Sequence, residues 1–291
     1  MTTDPPPPRR KWHFTRWLIV LIIATFGWSG WRAYAFRSAL AEARALGWTV
    51  EYTDPVKEIR KNWKTAFKKE TWLDGVTLVY ISGRVAFEPH LAIVQRLSPK
   101  GLRIMDAAKL RDLSAFTPLG RLHWLDLYGC TGLTNVDAIK NLFVLQQVHL
   151  RGCTGLTNVD GLKELAALQL VMLDGCTELT NVDALKNLST LQGVYLVGCT
   201  GLTNVDAIKN LSALQYVRLD GCIGLTNVDA LKDLSALKSV MLVGCTGLTN
   251  VDALKNLSAL QYVQLKGCTG LTKESVAALK AALPNAKITG P

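Results

Sequence analysis

Several things are scarce in this chain of 291 residues. Charged side chains make up 19% of it against 49% hydrophobic. That is too little charge for a disordered chain and enough apolar residue for a sizeable core. Ten prolines and 23 glycines are too few for a collagen-like or Pro/Gly low-complexity sequence. The four histidines, His13, His90, His123 and His149, do not form an H-E-x-x-H pair. The G-x-S-x-G elbow, the Walker A loop and the Rossmann glycine pattern are missing too. No C-x-x-C occurs, so the paired, close-spaced ligands of a zinc site are lacking. These absences point away from an enzyme, and no metal or other cofactor is expected.

Acidic charge is the minority sign: the net charge is +10. The excess is unevenly placed. Residues 1–75 hold 13 Lys+Arg against 7 Asp+Glu, a net of +6, and seven of the eight tryptophans. The basic, Trp-rich character therefore belongs to the N-terminal quarter, and no continuous basic stripe for nucleic acid runs through the rest.

What is present is periodic. Cys130, Cys153, Cys176, Cys199, Cys222, Cys245 and Cys268 are each separated by 23 residues, the signature of a repeat architecture. Leucine recurs with the same period at 122, 145, 168, 191, 214, 237, 260 and 283. In the unit 214–236, Val217 and Leu219 alternate with Arg218 and Asp220, which is strand periodicity. Leu225, Val228, Leu231 and Leu234 then follow every three residues, the spacing of a tight turn and a 3₁₀ segment. Asp229 reads as the N-cap of that return segment. One unit cannot bury its own apolar side, whereas stacked units can. The cysteines read as buried, reduced thiols that pack as small hydrophobes with a weak S–H donor. The Asp column from Asp137 to Asp252 is matched by a Lys three residues after each member, so no calcium site is expected from it.

The pattern L-x-x-V-x-L-x-G-C-T-G-L-T-N-V-D-A-L-K-x-L resembles the leucine-rich repeat, in its cysteine-bearing variety. The resemblance implies an α/β repeat solenoid: an arc with a parallel concave sheet, short helical or 3₁₀ convex segments, and partner binding as the usual role. Residues 75–121 are expected to form an N-terminal cap and a degenerate coil, with Ala107 in the place of the cysteine. Residues 122–271 are the repeats and 272–291 a C-terminal cap. In that cap Val276, Leu279 and Leu283 are helix-spaced, and 286–289 fits a last short strand. N-L-S sequons stand at Asn187, Asn210 and Asn256 and matter only in a secretory pathway that glycosylates.

Residues 1–16 form a basic, Pro-rich tail. Residues 17–36 carry one Arg among twenty and read as a single transmembrane helix flanked by Trp17, Trp28 and Trp31. The slightly greater positive charge before this segment places the repeats outside the cytoplasm. A cleaved signal remains open beside it: Leu18–Phe26 has the length of a signal core, and Ala33-Tyr34-Ala35 has the form of a cleavage site. Residues 37–74 are a basic helical connector. Its stretch 55–69 sets Val56, Ile59, Trp63 and Phe67 at helical spacing among lysines, which suits either an anionic lipid surface or packing on the first coil.

Buried and bend positions hardly change from unit to unit, whereas the outward strand positions do. Those positions include Trp124, Tyr128, His149, Arg151, Met172, Tyr195, Tyr216, Arg218, Met241 and Tyr262. A drifting exposed strand would be mostly Lys, Glu, Thr and Ser, while Tyr, Trp, Met and Arg have the composition of a protein interface. The expectation is a membrane-anchored, non-catalytic scaffold that binds a protein partner on these residues. A secreted or soluble adhesion or adaptor module is the alternative. The resemblance also allows the recognition subunit of a ubiquitin-ligase complex, although nothing here resembles an F-box. His149, a lone histidine on the outward side of its strand, is read as an exposed contact residue.

Overall fold

The 23-residue period becomes one coil of backbone. The computed structural model describes residues 34–52, 76–82 and 91–290. Helix α1 spans 34–45 and is followed by β1 (Thr49–Tyr52), β2 (Val76–Ser82), α2 (Leu91–Leu97) and β3 (Gly101–Met105). Seven short strands then come one per coil: β4 (Trp124–Asp126), β5 (Gln147–His149), β6 (Leu170–Met172), β7 (Gly193–Tyr195), β8 (Tyr216–Arg218), β9 (Ser239–Met241) and β10 (Tyr262–Gln264). Helix α3 (Lys273–Ala282) and β11 (Lys287–Thr289) complete the order. The eleven strands make a single sheet in chain order. β1 pairs antiparallel with β2, and every later pair is parallel.

The register repeats without slippage: Val194 pairs with Val217, Val217 with Val240, and Val240 with Val263. The side-chain period of a strand is two, so this register puts like residue above like on both faces of the sheet. After each strand the chain must turn sharply. Gly221, at φ +71°, supplies the left-handed residue there, a conformation glycine adopts without a Cβ penalty.

The return side shows why apolar residues fall every third position. Leu231 N–H donates to Val228 O at 2.9 Å, Leu234 N–H to Leu231 O at 3.1 Å and Leu237 N–H to Leu234 O at 3.0 Å. Consecutive i→i+3 turns bring the same residue of each triplet inward, and these are the residues buried. A 3₁₀ turn covers Asp229–Leu231, with counterparts from Asp137–Ile139 to Asp252–Leu254. The Asp does not cap it, contrary to the sequence expectation. Asp229 is the first residue of the turn and makes no side-chain cap bond. Instead Asn227 Oδ1 accepts the Asp229 N–H at 3.1 Å, and the Asn two residues before each corresponding Asp does the same. The short amide side chain closes an Asx turn onto the backbone two residues on.

The core is one continuous stack from Ala39 to Leu283. All seven cysteines are free, buried and fully shielded from solvent. The thiols of Cys153, Cys176, Cys199, Cys222, Cys245 and Cys268 each donate to the carbonyl 26 residues earlier, in the preceding coil, over 3.2 to 2.9 Å. Cys130 makes a longer contact, 3.9 Å to Ile104 O; Ala107 holds the equivalent position in the coil before it. Burial pushes the Cys130 thiol up to about 11 and those of Cys153, Cys199 and Cys222 up to about 12.

Both ends of the stack are covered. At the N-terminal end α1 buries Ala39, Leu40 and Ala43 and α2 buries Ile93, Val94 and Leu97, with Arg96 paired to Glu42 between them. The antiparallel β1 is an addition that the repeat pattern did not anticipate. At the C-terminal end α3 begins at Thr272, whose Oγ1 accepts the Ser275 N–H at 3.1 Å, and lays Val276 and Leu279 on the last coil. Of the N-terminal segment 17–36 only the last three residues are described. The basic stretch 55–69 lies outside the described residues, among which no helix is long and apolar enough to cross a membrane.

Candidate functional site

The sheet turns one face to the core and the other outward. Strand alternation sends Leu125, Val148, Val171, Val194, Val217, Val240 and Val263 inward, so the residues on either side of each form outward columns. The first column runs through Trp124, Gln147, Leu170, Gly193, Tyr216, Ser239 and Tyr262. The second runs through Arg103, Asp126, His149, Met172, Tyr195, Arg218, Met241 and Gln264. Just past the strand ends, Tyr128, Arg151, Asp174, Val197, Asp220, Val243 and Lys266 follow the same 23-residue step. All ten residues expected to meet a partner lie on this outward face. Tyr128 and Tyr216 are 43% and 42% exposed. Trp124, Arg151, Met172, Tyr195, Arg218, Met241 and Tyr262 are half-buried.

His149 departs from expectation: it is 8% exposed, and Asp126 is 5% exposed. Neighbouring coils explain this. Arg103, one coil back, donates from Nε to Asp126 Oδ2 at 2.8 Å and lays its guanidinium 4.7 Å over the Trp124 ring. His149, one coil on, meets Trp124 edge-to-face at 5.7 Å and places Nδ1 3.8 Å from Asp126 Oδ2. Four side chains on three adjacent strands therefore cover one another. Burial alone would raise the Asp126 pKa, but His149 and the Arg103 guanidinium outweigh it and hold the carboxyl below the usual carboxylate range. No nucleophile belongs to this cluster, because the nearest thiols in sequence, Cys130 and Cys153, point into the core.

The other two acids of the face are also engaged. Asp174 Oδ1 accepts the Val197 N–H at 3.0 Å and Asp220 Oδ1 the Val243 N–H at 2.9 Å, both in the next coil. Asp220 Oδ2 also accepts from Arg218 Nη2 at 2.9 Å, which holds the Arg218 guanidinium 5.9 Å over the Tyr195 ring. Sequence alternation located the face. It did not show that the carboxylates on it serve as cross-coil ties, because that requires knowing which residue the next coil sets alongside.

A family profile described as a BspA type leucine rich repeat region matches in six copies, over residues 126–217 and 174–279. No curated protein matches the sequence. Among solved structures, the leucine-rich repeat domain of the type III effector XCV3220 (XopL) is 19% identical with a TM-score of 0.56, covering 98% of this chain and 97% of that one. That likeness concerns the fold. Internalin C2 from Listeria monocytogenes is 20% identical with a TM-score of 0.45, over 76% of this chain and 83% of that one. The functional domain of InlJ from Listeria monocytogenes, described as including a cysteine ladder, is 17% identical with a TM-score of 0.38, over 68% and 56%.

Proposed function

Since the chain belongs to the BspA-type leucine-rich-repeat family, we propose that it is a membrane-anchored, non-catalytic scaffold that recognises a protein partner on the concave face of its sheet. One observation carries the reading. The strand positions that differ most between otherwise near-identical coils lie on a single continuous sheet face, and they are rich in Tyr, Trp, Met and Arg. Aromatic, Met and Arg side chains are enriched in protein interfaces, where each offers a large contact area. Continuous parallel pairing in one register holds the face together, which limits the backbone ordering that binding requires.

The membrane part of the proposal rests on the sequence of 17–36 and on the charge around it, with 55–69 as a lipid-facing or coil-facing helix. Membrane fractionation with N-terminal mass determination tests it. Recovery of intact residues 1–36 in the pellet supports the anchor, and a mature start at Phe36 refutes it in favour of a secreted module. For the face, Tyr195→Ala with Tyr216→Ala abolishes capture of the partner and leaves the melting curve in place. Capture that persists at wild-type strength in a folded double variant refutes the concave-face reading.

A further inference from the structure

We infer that the partner's docking segment is acidic, setting a carboxylate against Arg151 and an apolar side chain over Gly193. This rests on the concave-face reading above. The first argument is the imbalance of hydrogen-bonding capacity on the face. From β4 onward its three carboxylates are all occupied: Asp126 by Arg103 and by the Tyr128 N–H at 3.2 Å, Asp174 by the Val197 N–H, and Asp220 by Arg218 and the Val243 N–H. The cations are not matched in this way. Arg103 and Arg218 have their Asp partners, but the Arg151 side chain makes no hydrogen bond or ion pair among the described residues, and its Nε is buried without a partner. Exposed Lys266 and Lys287 add positive charge farther along the same face. Among the described residues the face therefore carries positive charge without an ion-pair partner and no carboxylate left unpaired, which selects an anionic ligand. A guanidinium binds a carboxylate through two parallel N–H bonds.

The second argument is shape. Gly193 interrupts a column of larger residues. A Cβ there would stand 2.8 Å from Leu170 Cδ1 and 3.7 Å from Tyr195 Cε1, so the Leu170 side chain lies over Gly193 and buries it, and this stretch of the column is low and apolar. Leu170, Tyr195 and Tyr216 surround this low stretch, an apolar surface against which one side chain can pack. Arg151 lies two strands away and four residues along, roughly 16 Å by strand spacing and rise. An extended peptide spans that distance in about five residues. Nucleic acid fits less well, because Asp126, Asp174 and Asp220 break the positive surface.

The test measures binding of the full chain in detergent to three soluble polymers, poly(Glu,Tyr), poly-Glu and poly(Lys,Tyr), and to oligothymidylate at physiological salt. Poly(Glu,Tyr) is expected to bind tightest. Arg151→Gln should weaken it about tenfold, the loss of one charged contact, and Gly193→Val, which must push Leu170 Cδ1 aside, should weaken it several-fold while the chain stays folded. Lys186→Gln with Lys209→Gln, on the opposite side of the solenoid, should change nothing. Failure of poly(Glu,Tyr) to bind, equal binding of poly(Lys,Tyr), preference for oligothymidylate, or an Arg151→Gln affinity within twofold of wild type each overturns the inference. If Tyr195→Ala with Tyr216→Ala abolishes binding but Arg151→Gln does not, the acidic segment is wrong and the face stands. If only the Lys186 and Lys209 substitutions abolish it, the concave face itself is wrong.

Discussion

Cys199 tests whether the thiol column works by packing or by hydrogen bonding. Its side chain has no exposure, and its Sγ lies 3.1 Å from Leu173 O. That carbonyl also accepts the Cys176 N–H at 3.1 Å, so removing the thiol does not leave it unpaired. Cys199→Ala then loses the burial of one sulfur, about 0.8 kcal/mol if it counts as a methylene. A residual cavity adds about 0.5 kcal/mol and a weak S–H bond about 0.5 kcal/mol, for a total of about 2 kcal/mol. Cys199→Ser keeps a donor, but its shorter bond from Cβ draws the oxygen back to the limit of hydrogen bonding and leaves a poorly paired hydroxyl in an apolar stack. It should be about 1 kcal/mol less stable than Cys199→Ala. Cys130→Ala should lose less than Cys199→Ala, because Cys130 Sγ is 3.9 Å from its acceptor and Ala107 already occupies the neighbouring position in the column. Urea unfolding at constant slope reads all three differences. A Cys199→Ser protein at least as stable as Cys199→Ala would refute the packing account and make the hydrogen bond the dominant contribution.

Further predictions follow from particular contacts. Asn227→Ala should destabilise by about 1 kcal/mol through loss of its bond to the Asp229 N–H, whereas Asp229→Ala should fall within about 0.5 kcal/mol of wild type, both read by urea unfolding. An aromatic disulfide reagent at pH 8 should label no thiol of the folded repeats and all seven in guanidinium, since every Cys is buried; rapid native labelling would contradict the stack. Because the folded thiol pKa values are raised to about 11 and about 12, their contribution to stability is full below the ordinary thiol pKa near 9 and is lost as pH rises toward those values, as alkaline titration by circular dichroism should show. The depressed Asp126 pKa acts in the opposite direction: its contribution is present above the ordinary carboxylate range and is lost as pH falls through its lower folded value. Asp126→Asn should remove that acid dependence and destabilise by about 1–3 kcal/mol in urea unfolding.

The solenoid was legible because its cause is local and repeated. A residue's environment in one coil is set by the same residue in the next, so the 23-residue spacing of Cys and Leu is itself the packing rule. The switch from alternation to every third residue marked the passage from strand to i→i+3 turns. What escaped was set by short-range chemistry or by unlike neighbours. The sequence points to Asp229 as the cap because Asp is a favoured N-cap residue, but Asn227, two residues back, has the reach to close the turn. β1 is four residues long and belongs to no period. His149 and Asp126 stand at outward positions, and alternation is silent on whether an outward residue is covered from the side. Here Arg103 and Trp124 do so, from positions 23 residues or more away along the chain.

The same geometry separates stability from recognition. A core position touches its counterparts above and below, so a substitution there disturbs two interfaces at once, and the buried columns stay nearly uniform. An outward position has a free side and can vary, but its neighbours still lie one strand spacing away, about 4.8 Å. The charged residues of the face use that closeness: Arg103 reaches Asp126, Asp174 reaches the Val197 N–H, and Asp220 holds Arg218 above Tyr195. The ties to Arg103 and Arg218 fix a long side chain over an aromatic ring before any partner arrives, removing part of the roughly 0.5–1.5 kcal/mol of ordering that each mobile side chain would otherwise oppose to binding. Arg151 has no such tie among the described residues. A partner carboxylate would complete for Arg151 the arrangement that Asp126 and Asp220 already provide for their neighbours, and so the contact should appear as a slower dissociation rate more than as a faster association rate.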